Sequence, residues 1–309
     1  MALAASPRAL RTALPAWVLV AGAVTVQILY PLTPAPLRTS VTVLSVAVFF
    51  LAAVADVVRV HGTRGGLVLL GVAGGGGLVA ESVGLATGWP FGDYAYTGTL
   101  GAEVAGVPLV VPMAWTMMAW PALVVGRALA RRGPGVVAVG AFALAAWDVF
   151  LDPQMVDAGH WVWARPDPGL PLVPGIPLTN YAGWLVVSLL IVGTLHRALP
   201  GGPRRSGPAA ALYLWVYASS VLAHLVFFGL PGSALVGGVL MGLVAVPYAL
   251  VLRRDRAAHR PGARHRGAHD SAAHDSAAHD SAAHDSAAHE SAARHPGGHG
   301  PHVRPGGTL

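Results

Sequence analysis

Between Trp147 and Trp163 the chain reads WDVFLDPQMVDAGHWVW, which places three carboxylates (Asp148, Asp152, Asp157), His160 and three tryptophans (Trp147, Trp161, Trp163) within seventeen residues. Asp148 and Asp152 are four apart, so on a helix they share one face. The stretch follows an apolar run, where a charged side chain is costly and usually has a task. A carboxyl group in apolar surroundings can stay protonated at neutral pH, as a general acid must. Two carboxyl groups close together push their titrations apart, so that one donates while the other stays ionised. Aromatic faces stabilise a cation that they surround, by about 2 kcal/mol or more when desolvated. Such a set suits acid–base chemistry on an apolar substrate, with Asp148, Asp152, Glu81 and Asp93 as the candidate catalytic groups.

The other two acids come from elsewhere in the chain. Glu81 lies inside an apolar run, which makes it a functional-site candidate; a structural hydrogen bond to a neighbouring helix is the competing expectation. Asp93 belongs to an aromatic, Gly-rich loop, GWPFGDYAYTGTLGAEVAGV at 88–107. Trp89, Phe91, Tyr94 and Tyr96 in that loop could be an ordinary interfacial belt, but their density beside a Gly-rich turn favours a lid or re-entrant piece. Together with Trp115, Trp147, Trp161, Trp163, Asn180 and Trp184, Tyr94 and Tyr96 form the candidate substrate-binding wall. No metal ligand set is expected.

The elements that must position these groups are membrane helices. The chain is 54% hydrophobic and 11% charged, with mean hydropathy +0.57, against about 25% charged residues in a soluble domain. An all-α polytopic transmembrane bundle of about eight spans is expected. The spans are roughly 14–32, 38–59, 66–87, 108–129, 134–151, 178–197, 209–229 and 233–252. Arg8 and Arg11 resemble the start of a signal peptide, but the first apolar segment is as long as a span and reads as uncleaved. In the third span the run Gly74–Gly77 suits close helix approach in lipid. A phosphate loop is discounted there, because no Lys or Ser/Thr follows. Pro153 is expected to end the fifth span. Asp56 is expected to pair with Arg59.

Arg residues cluster at one set of helix ends, from Arg8 and Arg11 to Arg253, Arg254 and Arg256, with only Arg38 and Arg165 at the other. The positive-inside rule then places both termini in the cytoplasm of a cell-membrane protein. Glu81, Asp93, Asp148 and Asp152 converge on the opposite end. The net charge of +6 is explained by this topology, so no nucleic-acid partner is expected; membrane lipid is. The absence of cysteine excludes thiolate–zinc, iron–sulfur and disulfide chemistry. The transmembrane domain is assigned to 1–256 and a His/Asp/Ser/Ala-rich tail to 257–309. That tail repeats HDSAA and lacks apolar residues to bury, so a disordered cytoplasmic segment is expected. Its regular His spacing suggests weak metal binding, and a low-complexity tail without a metal role is favoured over it.

The motifs GWPFGDYAYTGTLG, PLVVP with Trp115, WDVFLDP, GHWVW and IPLTNYAGW together resemble the carotenoid 1,2-hydratase family of the CruF type, over roughly residues 80–190. The resemblance implies addition of water across the terminal C1–C2 double bond of an acyclic carotenoid end group, giving a tertiary alcohol. It implies a hydro-lyase with no cofactor, a lipid-soluble polyene as substrate and other carotenoid biosynthesis enzymes as partners. The positions it carries over are Glu81, Asp93, Tyr94, Tyr96, Asp148, Asp152, Trp161, Trp163, Asn180, Gly183 and Trp184. Under this chemistry Asp148 or Glu81 protonates the alkene, and Asp152 or Asp93 positions the water. One rival is an intramembrane prenyltransferase holding Mg²⁺ on the DxxxD pair, which also wants basic residues that this end lacks. The other is a non-enzymatic carotenoid-binding or transport protein, for which an internal repeat would be the sign.

Overall fold

The computed structural model describes residues 7–202 and 206–258; the HDSAA tail, assigned above to a disordered segment, lies outside the described residues. Helix α1 (Pro7–Leu29) ends in a 3₁₀ turn at Tyr30–Leu32, where Pro31 and Pro34 cannot continue the backbone ladder. The next helical stretch, Ala35–Thr87, runs for 53 residues but breaks at Gly62, whose φ of +70° only glycine adopts readily. Beyond the break the chain folds back on itself: a Cβ at Gly66 would lie 2.7 Å from Val58 Cγ2. We therefore number two helices, α2 (35–61) and α3 (63–87), with a π-helical turn at Leu70–Gly75 inside the second. Helices α4 (Val110–Leu129), α5 (Gly133–Asp157), α6 (Leu178–Ala198), α7 (Gly207–Val226) and α8 (Pro231–Ala258) complete the bundle.

Six helical stretches among the described residues are long and apolar enough to cross a membrane, the 53-residue hairpin being one of them. With that hairpin divided at Gly62 and α4 added, the described residues give eight helical rods, where the sequence leads one to expect about eight spans. Helix α4 is apolar on all sides and buried along almost its whole length, so it is the centre of the bundle. Within the glycine run of α3, Gly74 and Gly77 lie at the close approach to α4. A Cβ at Gly77 would stand 2.6 Å from Trp115 Cγ, so glycine there lets the indole of α4 lie directly on α3.

One sequence expectation needs correction. Pro153 does not end α5, which continues to Asp157. A proline removes one intrahelical donor and bends a helix, but the turn beyond it is held by Ala158 N–H on Gln154 O and His160 N–H on Met155 O. The loops at the acidic end are joined and stiffened by short antiparallel ribbons. The strand β1 (Tyr94–Tyr96) pairs antiparallel with β4 (Trp161–Trp163), with Tyr94 opposite Trp163 and Tyr96 opposite Trp161. Two shorter ribbons, β2 (Glu103–Val104) with β3 (Val107–Pro108) and β5 (Gly169–Leu170) with β6 (Val173–Pro177), lie in the same two loops.

At the Arg-rich end, Asp56 is fully buried and tied to three elements. Arg59 Nη2 donates to its Oδ1 at 2.6 Å, while Trp120 Nε1 at 2.8 Å and Ser206 Oγ at 2.5 Å donate to its Oδ2. The expected Asp56–Arg59 pair is therefore part of a clamp joining α2, α4 and the start of α7.

Candidate functional site

Side chains of a strand alternate between faces. In the β1–β4 ribbon this places Tyr94, Tyr96, Trp161 and Trp163 on the inner face, while Val162 is exposed. The ribbon thus roofs the acidic end with four aromatic rings. Tyr94 and Trp163 have ring centroids 5.7 Å apart, and Tyr96 and Trp161 meet edge to face at the same separation. Trp163 is anchored by its Nε1–H on Phe91 O at 2.9 Å.

Beneath the roof, Glu81 is the acceptor of three converging donors. Tyr94 Oη at 2.5 Å and Tyr96 Oη at 2.9 Å donate to Oε2, and Trp115 Nε1 donates to Oε1 at 3.0 Å. Burial first, and then the negative charge of Glu81, push both phenols above the ordinary tyrosine range, so they remain O–H donors. A carboxylate accepts with both oxygens when ionised, and here both oxygens are engaged. The structural hydrogen bond to a neighbouring helix, the competing expectation for Glu81, is thus present, from Trp115 of α4.

Asp148 and Asp152, one helical turn apart on α5, are both buried. Asn180, at the start of α6, donates through Nδ2 to Asp148 Oδ2 at 2.9 Å and also to Asp152 Oδ2. One amide nitrogen thus bridges the two acids and fixes their relative orientation. The Trp161 indole faces Asp152 from the roof. Tyr181, next to Asn180, has a buried hydroxyl with no hydrogen-bond partner, in the field of both aspartates.

Glu81 and Asp152 line one cavity of about 50 Å³, walled by Tyr94, Tyr96, Trp115, Trp161, Trp163, Asn180 and Trp184. This is room for a few waters or for one branched hydrocarbon terminus. Trp115 and Trp184 stack at 3.8 Å and 14° to form one side. Glycine at 183 lets the Phe91 turn lie against α6, since a Cβ there would stand 2.7 Å from Pro90 O.

The remaining candidates sit differently. Asp148 is behind Asp152 and does not line the cavity. Asp93, although adjacent to Tyr94, points outward; its side chain is 60% exposed and lies 3.7 Å from the Arg165 guanidinium. Trp147 meets Trp184 edge to face at 6.1 Å and lines a different, larger cleft. Phe91, Thr42, Val46, Leu151 and Met155 are among the other residues lining the acidic cavity and carry no sequence signal beyond being apolar or small.

Comparison with known proteins places this arrangement in context. The family model described as "Carotenoid biosynthesis protein" matches residues 38–244, more than half of the chain and all of the site-bearing elements. A bisanhydrobacterioruberin hydratase from Haloarcula japonica is 32% identical over 112 residues, which is 34% of this chain and 36% of that protein. The matched stretch therefore spans only about a third of the curated relative. No solved structure matches.

Proposed function

Because the chain belongs to the carotenoid biosynthesis protein family, we propose that it is a membrane hydratase that adds water across the terminal C1–C2 double bond of an acyclic carotenoid end group. The observation that carries this is the pairing, in one small aromatic cavity, of two carboxyl groups in different hydrogen-bonding environments. The similarity to a bisanhydrobacterioruberin hydratase supports the same reaction class.

The proposed roles follow from those environments. Asp152, joined to Asp148 through Asn180, delivers its proton to C2, the less substituted alkene carbon. The positive charge then resides on C1 as a tertiary cation. The stacked Trp115–Trp184 pair and the roof tryptophans present aromatic faces to it. Glu81, whose two oxygens accept from Tyr94, Tyr96 and Trp115, acts as the base: it orients a water and takes its proton as the oxygen bonds to C1. H and OH have then been added across the double bond, one proton has left Asp152 and one has reached Glu81. Transfer of that proton back to Asp152 through cavity water restores the enzyme. Asp148 acts as a positioning residue, and Asp93 has no role in the step. No cofactor enters this chemistry.

The same proposal places both termini in the cytoplasm and the acidic cavity toward the outer face of the cell membrane, with residues 257–309 outside the catalytic domain. Other enzymes acting on the same polyene are the natural partners. The test is expression in cells that accumulate lycopene or γ-carotene, followed by mass spectrometry of the extracted pigment. A gain of one water per reacted end is expected; unchanged pigment, with the protein present in the membrane, would refute the proposal.

A further inference from the structure

The acidic cavity holds at most the tip of a long polyene, so the rest of such a molecule must lie elsewhere. A second cleft of about 430 Å³ opens between α1, α2, α5 and α7, within the size range of ligand sites. It meets the acidic cavity along a partition of four side chains, Thr42, Val46, Leu151 and Met155, which line both. Its wall is largely apolar, and its Gln27 is already engaged by Trp215 Nε1 at 2.7 Å. Its rim carries Ile28, Leu32, Leu222 and Phe227, all about half exposed or more, on or at the ends of helices α1 and α7, which face lipid in the orientation given above.

We propose that this cleft is the binding site for the linear hydrocarbon chain of the substrate, which enters sideways from the bilayer and passes its branched terminus over the Thr42–Met155 partition into the acidic cavity. The proposal rests on the hydratase reading for the identity of the occupant. The occupant is a straight isoprenoid chain, because the partition leads to a cavity too small for more than its branched end. A fatty acyl chain fits the apolar wall equally well but gives the acidic cavity nothing to act on. A chain arriving from the bilayer exchanges one apolar surrounding for another, so its seating rests on van der Waals packing against the cleft wall and needs no charged anchor.

The test fills the cleft from two sides without touching the acidic cavity. Ser219→Trp on α7 and Ser45→Trp on α2 both replace small cleft-lining residues that lie outside the acidic cavity. Val239→Trp, on the exposed face of α8 and lining neither cavity, is the control. Each variant is purified from lycopene-accumulating cells, and two readouts are taken: co-purified pigment by visible absorbance, and hydrated product by mass spectrometry. Both cleft variants are expected to lose bound pigment and product by tenfold or more, with the control unchanged. Wild-type pigment and product levels in either well-folded cleft variant would overturn the proposal. Cleft-dependent pigment binding without any hydrated product, even in the wild type, would uphold the binding site and sink the hydratase reading alone.

Discussion

At the scale of single residues, the site separates two carboxyl groups by what surrounds them. Glu81 receives three donors and is committed to accepting; Asp152 shares one amide with a second acid and faces the cavity. Removing a general acid typically costs 10²–10⁴-fold, so Asp152→Asn should reduce hydration by about that factor at unchanged membrane abundance. Asp148→Asn, which leaves the cavity wall intact, should cost less than Asp152→Asn. A larger loss for Asp148→Asn than for Asp152→Asn in product analysis would instead make Asp148 the proton donor. Tyr94→Phe removes one hydrogen bond to a carboxylate, a contribution of about 1.5–3 kcal/mol. Its turnover should fall accordingly, while pigment still co-purifies. Full activity in that variant would mean that Glu81 does not depend on its donors.

At the scale of elements, the positions of these groups come from close helix approach and from a ribbon joining two loops. Gly77 is the contact point of α3 and α4: a methyl group there meets Trp115 at 2.6 Å, whereas at Gly75 it meets nothing within 4 Å. Overpacking costs about 1–3 kcal/mol, while replacing a compatible helical glycine with alanine gains about 0.4–1 kcal/mol. Gly77→Ala should therefore lower the thermal midpoint of the detergent-purified protein, and Gly75→Ala should hold or raise it. A reversed order would show that Trp115 is not seated on α3. The helices were legible from hydropathy, and the Gly74–Gly77 run from its unsuitability in water. The ribbon was not, because YAY and WVW are three residues each and their pairing depends on contacts more than sixty residues apart. Asp93 has the sequence neighbours of a site residue, but strand alternation, which turns Tyr94 inward, leaves it outside. Pro153 read as a stop because local backbone rules favour one; the packed end of α5 overrides them.

At the scale of the whole molecule, the charge asymmetry sets an orientation that can be measured. The chain has no cysteine, so one introduced thiol is a unique label. Ala102→Cys, at the acidic end, should react with an impermeant maleimide in intact cells, and Pro200→Cys, at the Arg-rich end, only after permeabilisation. The opposite pattern would invert the proposed topology. Deleting residues 259–309 should leave hydration within about twofold of wild type, because the proposed catalytic groups all lie within 81–184; a larger loss would give the tail a part in the reaction. The segregation of acids and arginines to opposite ends was readable in the sequence. The existence of two adjoining cavities was not, since it depends on side chains such as Thr42 and Met155 that have no distinguishing chemistry of their own.

The most direct test compares wild-type protein with Asp152→Asn at matched membrane levels in lycopene-accumulating cells grown in heavy-oxygen water, with the pigment read by mass spectrometry. The expected result is a tertiary alcohol carrying the heavy oxygen in the wild type and at most about a hundredth as much in the variant. Unlabelled or absent product in the wild type, or equal product in both, would contradict acid-catalysed hydration at this site.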